Sequence, residues 1–125
     1  MMISFDDSQP IFQQIAEKIE DDILKGVYCE DEQIISVAQF ASTFQINPAT
    51  IVKGIALLVN ENILYKKRGL GMYVAAGAKK VITSKRRARF YDELVVKLLN
   101  EAEKLEMTYE DVIEMIKQRS GDDRK

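Results

Sequence analysis

The segment from Ser36 to Val74, SVAQFASTFQINPATIVKGIALLVNENILYKKRGLGMYV, limits the folds open to this chain more than any other stretch. Val37, Phe40, Ala41 and Phe44 recur at helical spacing behind Ser36, which predicts a short helix with a serine N-cap. After a brief turn, Asn47 is suited to cap a second helix and Pro48 to occupy its first position. Ile51, Ile55, Leu58 and Val59 supply that helix with an apolar face. Gly54 inside it costs about 1 kcal/mol relative to alanine, so a close packing contact is expected there. The next residues, ILYKK, RGLG and MYVAA, read as strand, tight turn and strand. Leu64, Tyr65, Tyr73 and Val74 favour extended backbone, and Gly69 and Gly71 permit positive φ at the turn.

The glycine pair has a second reading, as a loop that cradles the phosphates of a nucleotide. Such loops follow a strand and open a helix, so that phosphate meets the helix N-terminus. Here the glycines lead into MYVAAG, a strand-like run, with no third glycine at the required spacing and no GKS or GKT. The hairpin reading prevails. A short helix, a turn, a helix opened by Asn-Pro and a basic hairpin together make a winged helix-turn-helix arrangement. In that geometry the second helix enters the major groove of DNA, and the hairpin follows the backbone or minor groove.

The flanking segments are helical. In PIFQQIAEKIEDDILKG, Ile11, Ile15, Ile19 and Ile23 recur every four residues, with Phe12, Ala16 and Leu24 widening the stripe, proline in the first turn and Gly26 as the stop. A polar connection follows, ending in a short strand at Gln33–Ile35. From about Ala78 to Met107 the pattern is again helical, with Leu94, Val95, Leu98, Leu99, Ala102 and Leu105 at spacings of three and four. TYED, from Thr108 to Asp111, resembles a capping box that opens a last helix, and GDDRK is expected to fray.

Composition narrows function mainly by exclusion. The chain has no histidine and a single cysteine, Cys29, so the commonest general base, a disulfide and a cysteine zinc site are all missing. Acidic neighbours disfavour a thiolate at Cys29, which reads as a bystander. No catalytic constellation, metal set or cofactor is expected, and an enzyme is the minority view. No apolar run reaches the length needed to span a bilayer, and MMISFDDSQP lacks the pattern of a secretory leader, so a cytoplasmic location is expected. The net charge of −2 conceals strong segregation. Residues 1–52 carry two basic and nine acidic side chains, residues 53–89 carry ten and one, and residues 90–125 carry six and ten. A basic centre between acidic flanks can meet an anionic partner locally whatever the total charge.

From Pro10 to Ala76 these motifs, in this order, resemble the DNA-binding domain of GntR-family bacterial transcription regulators. The remainder resembles the two-helix tail of the family's YtrA-like subgroup, which serves for dimerisation and is shorter than the effector-binding domains of most such regulators. The resemblance implies a mainly α fold with a small β-hairpin: a winged helix-turn-helix domain over residues 1–76 and a helical dimerisation tail over 77–125. It implies a dimeric, sequence-specific regulator, with repression the expected sign, reading a palindromic duplex through helix 47–60 and wing 63–75. The sequence departs from the family pattern in having Ile35 in place of a proline, and Ala38 and Val52 in place of arginines.

On that reading Asn47, Ala49, Thr50 and Lys53 meet the groove from the first turns of the recognition helix, and Ser36 offers a hydroxyl and an amide to phosphate. Lys67 and Arg68 contact backbone or minor groove from the wing, while Gly69 and Gly71 allow close approach. Each has a plainer role: capping for Ser36 and Asn47, a bond to its own backbone for Thr50, the turn itself for the glycines. The charge run KKVITSKRRARF reads as a solvated helix face, a contact to flanking phosphates or a pairing with an acidic surface of the partner subunit. Phe90, Leu94, Leu98, Leu105, Val112 and Ile116 form a stripe with few expected neighbours within the chain, and are assigned to a homodimer interface. A small-molecule effector is left open, and no membrane partner is expected. The competing function is a winged-helix protein-interaction module that no longer reads DNA.

Overall fold

The computed structural model describes Phe5 and residues 7–123, which form two compact units divided between Ser84 and Lys85. The first unit contains α1 (Ile11–Leu24), α2 (Val37–Phe44), α3 (Pro48–Asn60) and a hairpin of β1 (Leu64–Lys67) and β2 (Gly71–Val74). It also holds most of α4 (Ala78–Arg89). Ile15, Ile19 and Ile23 of α1 are buried with Phe40 of α2, Ile51, Ile55 and Leu58 of α3, and Leu64 and Val74 of the hairpin. The fourth isoleucine of the expected stripe, Ile11, lies outside this core at 45% exposure.

Local chemistry sets each boundary. Ser36 Oγ accepts a hydrogen bond from the Gln39 amide at 3.1 Å, and Asn47 Oδ1 accepts one from Ala49 at 2.9 Å, so both expected N-caps form. Between them Gln45 takes a left-handed φ of 55°, ending α2 and turning the chain into α3. Pro10 stands one position before α1 as its N-cap residue, rather than inside the first turn.

Gly54 is required by contact. A Cβ there would lie 2.7 Å from the Phe12 carbonyl oxygen and 3.2 Å from Ile15 Cγ2, so α3 crosses α1 at a point where a side chain does not fit. The hairpin pairs Leu64 with Val74, Tyr65 with Tyr73, Lys66 with Met72 and Lys67 with Gly71. The expected strand at Gln33–Ile35 is reduced to a single antiparallel bridge from Gln33 to Tyr73.

The first unit runs on past the expected division at Ala76 because Ala78 and Ile82 are fully buried in its core. The helix expected from Ala78 to Met107 is continuous to Lys104, but Phe90–Val95 adopts the wider π geometry between α4 and α5 (Val96–Lys104). α6 (Tyr109–Asp123) opens with the expected capping box. The Thr108 amide donates to Asp111 Oδ2 at 2.9 Å, and the Asp111 amide donates to Thr108 Oγ1 at 3.1 Å. Of the tail GDDRK, the first three residues continue α6, and Arg124 and Lys125 lie outside the described residues.

Candidate nucleic-acid interface

Helix α3 has two unlike faces. Ile51, Gly54, Ile55 and Leu58 are buried against the core, whereas Asn47, Ala49, Val52, Lys53 and Ala56 are exposed and Thr50 is half-buried. Ala49, Thr50 and Lys53 share a shallow hollow with Ile11 and Phe12 at the start of α1. Lys53 Nζ sits 4.3 Å from the centroid of the Phe12 ring, a cation–π contact that draws the ammonium towards α1. Phe12 thus positions a residue expected to meet phosphate. The sequence offered no sign of this, because Phe12 reads simply as part of an apolar stripe.

Capping and nucleic-acid binding are compatible at both helix starts. The bond from Gln39 uses a lone pair on Ser36 Oγ, leaving that hydroxyl hydrogen to donate to a phosphate oxygen. The Asn47 carbonyl oxygen is committed to Ala49, and its amide nitrogen carries two donors of its own.

The tip of the hairpin is equally defined. The Leu70 amide donates to the Lys67 carbonyl at 2.9 Å, and Gly69 has the positive φ, 77°, that a type II turn needs at its third residue. Around Gly69 a Cβ would meet nothing within 4 Å, so the backbone there is open to close approach. Gly71 has a different reason to be glycine. Its φ is 98°, and a Cβ would fall 2.8 Å from Gln33 Nε2, which donates to the Leu70 carbonyl at 2.6 Å. Gln33 therefore braces the wing from a loop distant in sequence, a role invisible in the sequence. Tyr65 and Tyr73 stack across the strands with centroids 5.9 Å apart, and Lys67 Nζ lies 4.3 Å from the Tyr73 ring centroid. Tyr65 also donates to Asp31 Oδ1 at 3.1 Å. Desolvation, followed by that carboxylate, raises its hydroxyl above the usual tyrosine range. Arg68 stands exposed at the tip.

The remaining candidates divide. Cys29 is exposed, and its hydrogen bond and repulsion with Glu32 raise the thiol above its usual range, which fits a bystander. In the basic helix α4, Lys79, Lys80 and Arg87 are exposed while Lys85, Arg86 and Arg89 are half-buried. Among the described residues no group of three acidic or cysteine side chains is placed to hold a metal, and no helix is long and apolar enough to cross a membrane.

In the second unit Phe90, Leu94, Leu98, Leu105 and Ile116 are exposed. Val112 differs from these five: it is buried, as is Ala102, and only 7% of its surface is exposed. α5 and α6 enclose an open apolar groove of about 430 Å³, lined by Leu98, Leu105, Met107, Val112, Met115 and Ile116 among others.

No protein-family model matches the chain. It is 29% identical over 115 residues to the HTH-type transcriptional repressor YtrA of Bacillus subtilis, an alignment covering 92% of this chain and 88% of YtrA. A GntR-family transcriptional regulator from Bacteroides thetaiotaomicron superposes with a TM-score of 0.80 at 32% identity, over 91% of this chain and 99% of that one. The DNA-binding domain of AraR, solved in complex with its operator ORX1, superposes with a TM-score of 0.56 at 26% identity. That match covers 60% of this chain and 95% of the AraR domain.

Proposed function

Because the chain belongs to the GntR family of helix-turn-helix transcription regulators, we propose that it binds a palindromic operator as a homodimer and represses transcription. It is a DNA-binding regulator and not an enzyme. The observation that carries the finer reading is the division of α3, whose inner face is locked in the core while its outer face is exposed from the N-cap onward. A helix held in this way can enter the major groove as a rigid reader. The wing follows the adjacent backbone or minor groove, with Arg68 at its tip and Lys67 braced on Tyr73. Ser36 and the α2 N-terminus meet phosphate and set the register.

A dimer is supported by the exposed apolar residues of the second unit, which a lone chain leaves in water. Two-fold symmetry would present the two copies of α3 to successive major grooves about 34–36 Å apart. The repressive sign is supported by the similarity to YtrA along most of both chains. The test is equilibrium binding to duplex from the gene's own upstream region against scrambled duplex, at several salt concentrations. Salt-dependent binding that favours the native duplex is the expected result. Equal, weak binding to both duplexes would leave the protein-interaction module as the better reading.

A further inference from the structure

We infer that Val52 is a specificity-determining residue that reads the 5-methyl group of a thymine in the operator's major groove. This inference rests on the operator reading proposed above. Val52 is the fifth residue of α3 and is 52% exposed, on the solvent-facing side of the helix next to the buried row of Ile51, Ile55 and Leu58. The residues around it on that face are Ala49 three positions before, Lys53 beside it and Ala56 four positions after. The two alanines have no polar side-chain atom, and the Lys53 ammonium is drawn aside onto the Phe12 ring at 4.3 Å.

The centre of the reading face is therefore apolar. Besides Lys53, the hydrogen-bonding side chains on α3's groove-entering end are Asn47, whose oxygen already caps Ala49, and Thr50. A valine has neither donor nor acceptor, so it cannot recognise guanine or adenine by their hydrogen-bonding edges. The major-groove feature with matching chemistry is the thymine methyl, which an apolar side chain can desolvate. Exposed apolar residues scattered singly need no special explanation. Val52 differs in lying on the first turns of the helix, where base edges are met.

The inference is tested by replacing each thymine of the native upstream duplex, one at a time, with deoxyuridine. This removes only the 5-methyl group and leaves base pairing intact. Binding of the full-length wild-type protein and of Val52→Ala is then compared on every duplex. Because Val52 is exposed and alanine is the better helix former, the variant is expected to fold, which circular dichroism checks. For the wild type, deoxyuridine at the contacted position should raise Kd about fourfold, the worth of one buried methyl-sized group. For Val52→Ala the same two duplexes should bind equally. Wild-type indifference to deoxyuridine at every position would overturn the inference. So would a deoxyuridine penalty that Val52→Ala retains in full. A wild type that does not prefer the native duplex over scrambled DNA in the same titrations would overturn the operator reading itself, and this inference with it.

Discussion

Gly54 shows how a single missing atom positions a reading helix. An added Cβ meets backbone, the Phe12 carbonyl at 2.7 Å, which cannot swing aside as a side chain would. Gly54→Ala recovers about 1 kcal/mol of helix propensity but incurs overpacking of about 1–3 kcal/mol. A net loss of about 1 kcal/mol is expected, visible as a lower urea midpoint. An unchanged or raised midpoint would mean that α1 and α3 separate at little cost. Arg68 acts at the same scale through charge, since it packs on nothing that defines the fold. Arg68→Ala should leave stability unchanged and reduce the slope of log affinity against log salt by about 0.9 for each phosphate contact removed. If the loss instead depends on the local base sequence, Arg68 is reading minor-groove shape.

Helix starts and the hairpin turn are the elements on which the proposed site is built. Asn47 serves two ends that substitution can separate, because serine caps a helix nearly as well as asparagine but lacks the amide donors. Asn47→Ala should cost about 1 kcal/mol of stability. Asn47→Ser should retain that stability and still bind operator duplex more weakly than the wild type. Equal affinity for Asn47→Ser would confine Asn47 to capping. The wing depends on two glycines for different reasons: Gly69 has the turn's positive φ with open space around it, and Gly71 makes room for the Gln33 amide. The first requirement can be read from RGLG alone. The second depends on a bond from Gln33 to Leu70, 37 positions apart, which no local pattern announces.

At the level of the whole molecule, the proposed dimer depends on side chains that the lone chain leaves exposed. Leu98→Glu and Ile116→Glu alter residues already in contact with water, at 46% and 57% exposure, so each chain should keep its helical content. Each variant should sediment as a monomer at concentrations where the wild type is a dimer, and should bind the full operator no more tightly than a half-site. Dimeric variants with wild-type affinity would move the interface away from this groove. Val112 is unsuitable for the same experiment, because it is already buried in the lone chain and a charge there would destabilise the fold.

The sequence by itself determined the element order, both N-caps of the helix-turn-helix, the hairpin with its turn and the capping box at Thr108. The caps, the turn and the helical periods depend on residues within about four positions of one another, and the hairpin strands that the turn joins pair within ten, so φ preferences, periodicity and short side-chain bonds act locally. Tertiary structure alone decided that Lys53 leans on Phe12, that Gln33 braces the wing and that Ala78 and Ile82 carry the first unit past Ala76. It also separated Val112 from the exposed apolar residues with which it shares a helical period. The physical reason is common to all of these cases. Periodicity shows which residues share a face of a helix, but burial and contact depend on what packs against that face, and the partners come from distant parts of the chain.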